Sequence, residues 1–235
     1  RSGTPATIHL KRFHSYGLGE SHVDSMLSGI EELVPDGSAK LGFRAHYPQI
    51  ETKVTVRGTD AADIDRKLAP VVAEVRKRLG NFILAEDDDT LEGVIVKRLA
   101  AEGGSLAVVE MYTSGGIAGR VAPLPGAEEV FRRGLVCREL GEIQTALGPA
   151  AGADAEITKE AAEQIAQAMR RASGASHALA VLIDLDTGPD RIDFGGTICI
   201  GIATEHETES RPSRILGGRE WVRLGAVHLG LDCLR

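Results

Sequence analysis

Residues 106–121 read LAVVEMYTSGGIAGRV and decide the fold of the longer part of the chain. The apolar run 106–109 predicts a buried strand, and the small polar residues and glycines after it predict a tight turn. A second apolar stretch begins at Ile117 and indicates a helix. Enzymes of the α/β class often hold a nucleophile or a phosphate in such a turn. In this chain, however, Glu110 is followed by Met111, whose thioether offers no acid, base or nucleophile.

The composition is typical of a soluble globular protein. The 235 residues are 43% hydrophobic and 26% charged, which is the usual range, and no apolar run approaches the roughly 18 residues that span a bilayer. Three widely spaced cysteines predict neither a zinc site nor a disulfide framework and favour a reducing compartment, so we expect a cytoplasmic protein that does not interact with membranes. The chain starts at Arg1 without a Met, which leaves room for upstream sequence in a longer natural chain.

Charge is divided unevenly along the chain. Residues 1–85 contain 12 Lys and Arg against 10 Asp and Glu, whereas residues 86–235 contain 15 against 24. Binding to nucleic-acid phosphates requires clustered cations. The acidic part is therefore a poor nucleic-acid surface, the first part is only faintly basic, and a nucleic-acid partner is not expected.

The apolar periodicity predicts a small α+β module followed by an α/β layered domain, an α-β-α sandwich. For the module we predict the order α-β-β-α-β: a helix at 21–34 capped by Ser21, strands at 40–48 and 51–59, a helix from Asp60 to Gly80 and a strand at 81–85. The acidic break at 85–90 is the predicted boundary, so we assign residues 1–88 to the first domain and 89–235 to the second.

The second domain alternates predicted helices and strands. Around the strand and turn quoted above we predict helices at 91–101, 128–133, 158–174 and 217–235, strands at 135–137, 178–185 and 195–204, a loop at 149–156 and a charged hairpin or loop at 205–214.

The polar residues of the turn carry little specific chemistry by themselves. TSGG (113–116) matches neither GxSxG nor a Walker sequence, and a plain strand-to-helix turn is the commoner meaning of such a stretch. The seven histidines have no HExxH or paired spacing. We therefore expect no metal and no other cofactor.

Several stretches resemble the competence/damage-inducible protein CinA family. FHSYGLGESHVDSML (13–27) resembles the family segment "fr-GigES-l---L", and VEMYTSGGIAG (109–119) resembles "AES-TGGl-a". PLPGAEEVFRRGLVCRELGEIQTALG (123–148) resembles "-vpGaS--f-gG-v-Ys---K---LGv", and GGREWVRLGAVHLGLDCL (217–234) resembles "gdR--iR--aa--aL--L". The likeness extends over nearly the whole chain from about residue 8.

The resemblance implies a KH-like module followed by an amidase-type C-terminal domain. In the family's full chains, a molybdopterin-binding-like domain precedes both. The family's C-terminal domain is a nicotinamide mononucleotide deamidase, which hydrolyses the carboxamide to nicotinic acid mononucleotide and ammonia.

The family's reacting residues are replaced in this chain. The nucleophilic Ser of "AES" corresponds to Met111, and the Tyr and Lys of "Ys---K" correspond to Arg138 and Ile143. Of the family's "TG-aGP" signature, only Gly188 and Pro189 match. The resemblance implies a ligand-holding role for the positions that are kept: Glu110, Thr113, Gly115, Arg219 and Arg223.

These replacements favour a domain without deamidase chemistry. A thioether cannot form an acyl intermediate, and isoleucine cannot act as the base. We therefore predict a CinA-like ligand-binding or assembly module, with a pyridine-nucleotide-like ligand and self-association into a homo-oligomer. Two alternatives stay open. One is an active amidohydrolase that uses Thr113 or Ser114 as a displaced nucleophile, and the other is a nucleic-acid-binding module in the KH-like part, which has no GxxG loop.

Overall fold

The computed structural model describes residues 7–152, 156–187 and 195–235. It divides the chain into two compact units, Arg1–Thr90 and Leu91–Arg235. The predicted boundary after residue 88 lies close to this division. Among the residues described, no helix combines the length and the apolar composition that crossing a membrane requires.

The first unit is a four-stranded sheet with helices packed on one face. Its elements are β1 (Thr7–Tyr16), α1 (Glu20–Met26), a 3-10 turn (Ile30–Leu33), β2 (Ala39–His46), β3 (Gln49–Gly58), α2 (Ala61–Leu79), a second 3-10 turn (Gly80–Phe82) and β4 (Ile83–Glu86). The strand order is β2-β3-β1-β4, and every neighbouring pair is antiparallel. The unit is therefore the small α+β module that the sequence predicts.

The core of the first unit lies between this sheet and its helices. Ile50, Val54 and Val56 on β3 are buried, while the odd-numbered residues 51, 53 and 55 between them are partly accessible to solvent. Together with Phe13 of β1 they pack against apolar residues of the helices: Val23, Leu27, Ile30, Val71, Val75 and Leu79. The alternate residues of the same strands lie on the opposite face of the sheet.

The structure corrects the predicted order of the first unit, which omits β1. In this strand Ile8 and Leu10 lie on one face of the sheet, and the buried Phe13 lies on the other. The apolar residues therefore do not alternate regularly with polar ones, and the sequence pattern does not indicate a strand. The predicted Ser21 cap is also wrong, because α1 begins at Glu20 without a side-chain cap. The predicted cap of α2 is confirmed: Asp60 accepts a hydrogen bond from the Asp63 backbone N–H at 2.9 Å.

The second unit is an α/β layered domain around a mixed five-stranded sheet. Its elements are α3 (Leu91–Ala101), β5 (Leu106–Met111), α4 (Gly116–Val121), α5 (Ala127–Val130), β6 (Phe131–Cys137), α6 (Leu140–Leu147), a 3-10 turn (Pro149–Ala151), α7 (Lys159–Ser173), β7 (His177–Leu185), β8 (Gly195–Ala203), β9 (Thr208–Leu216) and α8 (Arg219–Asp232). The strand order is β6-β5-β7-β8-β9. The first three strands of this order run parallel, and β8 and β9 pair antiparallel.

The buried strands of this sheet contact helices on both faces. On β7, Ala180 and Leu182 belong to a cluster that includes residues of α6 and α7. The alternate residues Leu179 and Val181 lie against Gly230 of α8. The predicted α-β-α arrangement is confirmed, and neighbouring residues of β5 consequently face different helical layers.

The two edge strands of this sheet, β6 and β9, differ in part from the elements predicted at these positions. The helix predicted at 128–133 ends at Val130, because Phe131 begins β6, which pairs with β5. The charged stretch 205–214 lies mostly in β9, so its hairpin interpretation is confirmed by the antiparallel pairing with β8. The predicted loop at 149–156 begins with a 3-10 turn, while 153–155 lie outside the described residues, as do Gly188 and Pro189 of the partial family signature.

Gly201 of β8 allows α7 to lie directly on the sheet. A Cβ atom at this position would lie 2.1 Å from the carbonyl oxygen of Ala162. Because buried helix backbone cannot move aside, we expect Gly201→Ala to destabilise the second unit by about 1–3 kcal/mol or more. Gly141→Ala in α6 is the control: its Cβ would meet no heavy atom within 4 Å, so stability should stay equal or rise. Equal urea midpoints for the two variants would contradict the direct packing of helix on sheet.

His228 of α8 makes the stability of the second unit dependent on pH. This side chain is 1% exposed, and burial together with the Arg120 cation lowers its pKa to about 3. An unfolded histidine has a pKa near 6.5, so the unfolded state binds more protons between these values and stability falls as the pH falls through this window.

We expect His228→Leu to weaken this acid sensitivity. Between pH 7 and pH 5, urea denaturation should show the unfolding free energy of the variant falling less than that of the parent chain, by about 2 kcal/mol. The exposed His206 supplies the control substitution His206→Leu, which should follow the parent. Parallel pH profiles for parent and His228→Leu would refute a neutral buried imidazole.

Candidate functional site

The turn between β5 and α4 is organised by a buried carboxylate. Glu110 is 0% exposed. Its Oε1 accepts the backbone N–H of Ala118 at 2.8 Å, and its Oε2 accepts the backbone N–H of Ile117 at 2.9 Å and the hydroxyl of Thr113 at 2.5 Å. A helix N-terminus attracts anions. In this protein, the place where the sequence suggests a bound phosphate is filled by the chain's own carboxylate.

The turn itself has an unusual backbone. Tyr112 and Ser114 adopt left-handed conformations with φ of 67° and 59°, and Gly115 follows with φ of 74°. Non-glycine residues in this region cost about 1–3 kcal/mol each and persist only where their surroundings fix them. The result is a fully buried Thr113, whose hydroxyl donates to Glu110, and an exposed Ser114.

Two of the positions that the sequence resemblance assigns to the family's reacting residues lie in the apolar core. Met111 of β5 is 3% exposed and Ile143 of α6 is 0% exposed. Both belong to one cluster, which also contains Leu140, Ile165 and Met169. Both positions thus belong to one apolar cluster, as packed side chains that offer a carboxamide no nucleophile and no proton acceptor.

Arg138, at the third such position, lies on the surface. Its guanidinium carbon lies 5.1 Å from the centroid of the Tyr112 ring, which is within the range of a cation–π interaction. Its backbone N–H donates to the Glu142 carboxylate at 3.0 Å. Arg138 therefore covers Tyr112 and supplies no phenolic hydroxyl.

A cavity of about 160 Å³ lies beside the exposed side of the turn. Its lining includes Tyr112, Ser114, Arg219, Glu220 and Arg223. Arg223 donates to both carboxylate oxygens of Glu220, at 2.8 and 2.5 Å, and to the backbone carbonyl of the turn at 3.4 Å. These hydrogen bonds lower the pKa of Glu220 and raise the pKa of Arg223. The pair is thus held in its ionised form, and Arg223 ties α8 to the turn.

Arg219 is the cation of this cavity that has no such partner. It is exposed at the first position of α8, and its side chain forms no hydrogen bond or ion pair within the described part of the chain. The helix begins after Gly218 without a side-chain cap. The positive end of α8 and the guanidinium of Arg219 therefore meet at one side of the cavity.

The linear sequence does not predict that Cys137 and Tyr112 lie at the site. The parallel pairing of β5 with β6 places Cys137 opposite Met111. Burial, with a contribution from Glu142, raises the pKa of the Cys137 thiol, which disfavours the thiolate that a nucleophile requires. Cys137 is therefore a poor replacement for the missing hydroxyl. Within ranges 7–152, 156–187 and 195–235, no three His, Cys, Asp or Glu residues are grouped as a metal site.

Two family models match the chain. The CinA C-terminal domain matches residues 88–235, and the damage-inducible protein CinA KH domain matches residues 10–85. The chain belongs to the CinA family. The resemblance and the two kinds of domain that it implies are thereby confirmed.

Curated relatives extend this match over the whole chain. A CinA-like protein of Frankia casuarinae is 31% identical and is matched over 100% of this chain and 55% of its own length. A CinA-like protein of Geotalea daltonii is 30% identical over 100% of this chain and 57% of its own length. The chain thus spans a little over half the length of these relatives.

Solved structures of competence/damage-inducible proteins share the fold of part of this chain. The competence or damage-inducible protein of Enterobacter asburiae has a TM-score of 0.53 at 21% identity, covering 63% of this chain and 97% of that chain. The CinA superfamily protein of Escherichia coli has a TM-score of 0.53 at 17% identity, covering 66% and 96%. At these identities the likeness shows the fold alone.

The stability of the second unit should depend on Glu110. In Glu110→Gln the side-chain NH₂ would face a hydrogen-bond donor, so at least one of the three hydrogen bonds is lost and a cost of about 1–3 kcal/mol is expected. Glu205→Gln is the control, because Glu205 is exposed in the β8–β9 turn and its substitution should leave the urea midpoint unchanged. An unchanged midpoint for Glu110→Gln would exclude the capping role.

Proposed function

We propose that the C-terminal domain of this CinA family member has lost nicotinamide mononucleotide deamidase chemistry and acts as a ligand-binding module. The observation that carries the proposal is the burial of Met111 and Ile143 in one apolar cluster. Restoring a hydroxyl at position 111 alone would place it beside an isoleucine and not beside a base. The loss therefore involves a repacked site and not a single substitution.

The chemistry of amide hydrolysis supports this proposal. An acyl-enzyme mechanism requires a hydroxyl or thiol beside a proton acceptor. Removing the nucleophile alone typically lowers the rate by several orders of magnitude. Here the nucleophile and the base positions are both apolar, and the nearby Cys137 thiol has a raised pKa.

The ligand that fits the cavity is anionic. Arg219 and the positive end of α8 favour a phosphate or carboxylate, and the exposed Ser114 hydroxyl is available as a further donor. Pockets that enclose whole ligands measure roughly 300–1,000 Å³, so a cavity of about 160 Å³ suits only part of a nucleotide, such as its phosphate. The side-chain oxygens of Glu110 and Thr113 are hydrogen-bonded within the turn. A direct contact between either residue and a ligand stays a prediction.

Ser114 gives a second candidate function some support. It is exposed, lines the cavity and has a left-handed backbone, so a displaced nucleophile at this position would reach a bound substrate. The carboxylate beside it, Glu220, is bound by Arg223 and has a lowered pKa, which makes it a weak base. Thr113, the other fallback hydroxyl, is fully buried. Hydrolysis by Ser114 is therefore the weaker proposal.

A homo-oligomer in the cytoplasm completes the proposal. Cys137, Cys199 and Cys233 are free thiols, as expected for a reducing compartment. Closed homo-oligomers are the most common assemblies of soluble proteins. Light scattering of the purified chain measures its mass directly.

Calorimetry and an ammonia assay test the two candidates. We expect nicotinamide mononucleotide to bind without releasing ammonia, and Arg219→Ala to weaken its binding about tenfold or more, because a charged hydrogen bond is lost. Arg171→Ala removes an exposed cation of α7 and should bind like the parent. Ammonia release that disappears in Ser114→Ala would establish the hydrolase instead. Equal binding by the parent and by Arg219→Ala would refute the proposed anion site.

A further inference from the structure

The sheet of the first unit has one face that none of this unit's helices covers. We call it the open face: it carries the even-numbered residues of β1 and β2 and the odd-numbered residues of β3. The strand register defines its rows. Arg12 lies opposite Lys53, and Lys53 lies opposite Gly42 on the next strand.

The open face collects positive charge from three strands. Five cations lie on it: Arg12, Lys40, Arg44, Lys53 and Arg57. Across these positions the only carboxylate of the three strands is Glu51. The compensating acids of this unit lie on its helices and turns, which is why the first 85 residues have only a small net charge.

Arg12 of this face pairs with Asp88 at 2.7 Å and Lys53 pairs with Glu51 at 3.2 Å, which leaves the other three cations as the ones that a partner can use. Arg44 and Arg57 are exposed, and their side chains form no ion pair or hydrogen bond with any residue that the structure describes. Lys40 pairs with Glu31 at 3.2 Å, and its own side chain is 67% exposed. Ion pairs at such exposed positions are weak, so a phosphate can replace the carboxylate.

Rings lie at one end of the same face. The register places Tyr16, Gln49 and His46 in one row, and His14 lies in the row beside it. His46 is exposed and Tyr16 is half-buried. Unstacked bases bind to such rings and to the planes of arginine side chains.

Single-stranded nucleic acid is the partner that uses both features. A duplex keeps its bases stacked inside and would contact a flat sheet through phosphates alone. An acidic protein segment would use the cations and have no need of the rings. KH domains hold single strands with a GxxG loop, and residues 1–90 contain no GxxG sequence. We propose that the open face binds single-stranded nucleic acid, with phosphates on Arg44 and Arg57 and bases on Tyr16 and His46.

Fluorescence anisotropy of the full chain with a labelled ten-nucleotide oligo-U RNA tests this proposal. The parent should bind, with affinity falling as salt rises. The double variant Arg44→Glu/Arg57→Glu should bind at least about tenfold more weakly, and its log–log salt slope should be shallower by about 1.4, which is two phosphate contacts at roughly 0.7 each.

A matched double variant separates the open face from net charge. Lys77→Glu/Arg171→Glu changes the charge by the same amount at exposed cations outside this face, and it should bind within about threefold of the parent. Urea denaturation of both double variants checks that they are folded. Equal loss of affinity in the two would overturn the proposal.

Two competitors test the choice of partner, and His46→Ala tests the rings. That variant should weaken binding of the single strand at least about fivefold, because a base loses the ring on which it stacks. Unlabelled duplex RNA and polyglutamate should each compete more weakly than the single strand. Competition by duplex as strong as by the single strand would show phosphate binding alone, and equal competition by polyglutamate would favour an acidic protein partner. Either result would overturn the proposal, as would failure to bind oligo-U at low salt.

Discussion

The buried carboxylate of Glu110 is the constraint on which the second unit depends. It joins the end of β5 to the start of α4 through two backbone N–H groups and holds the hydroxyl of Thr113 beneath the turn. Successive residues of a strand point to opposite faces, so Glu110 faces α4 while Met111 joins the cluster beside α6 and α7. An apolar side chain at Met111 therefore packs into this cluster without disturbing the cap. The cap and the apolar cluster lie on opposite faces of the strand, which is what the proposed loss of reacting residues from an intact scaffold requires.

The same carboxylate determines where the proposed external anion would bind. Because Glu110 satisfies the N-terminus of α4, the remaining positive helix end near the turn belongs to α8, which begins at Arg219 without a side-chain cap. Arg223 joins this helix to the turn through the backbone carbonyl of Thr113. The geometry of the cavity thus follows from the turn, and the turn follows from Glu110. Some of the residues kept from the family motif maintain the backbone of the turn, and others face solvent.

Sequence patterns predicted the elements that are buried on both faces or capped by local chemistry. The strand ending at Met111, the Asp60 cap of α2 and the α/β layering belong to this class. Strand β1 was not predicted, and β6 and β9 were predicted only in part, because each has mostly exposed or mixed positions and apolar periodicity distinguishes them poorly from loops. The apolar residues Met111 and Ile143 could be identified by comparing the sequence with the family motif. The position of Cys137 beside Met111 could not be identified in this way, because it depends on pairing between strands that are distant in sequence.

Pairing between distant strands also explains why the net charge of the first unit is a poor guide to the charge on one face of its sheet. Arg44 and Arg57 lie on different strands from Arg12, yet these three cations and Lys40 all lie on one face of the sheet, and neither Arg44 nor Arg57 has an ion-pair partner among the described residues. The whole chain has a net charge of −7, which repels a polyanion at long range. At physiological ionic strength, however, screening limits such repulsion to about 8 Å. A cluster of cations on one flat face then acts on a phosphate in contact with it, largely independently of acidic residues farther away. The local arrangement of charge, and not its sum, determines what this surface can bind.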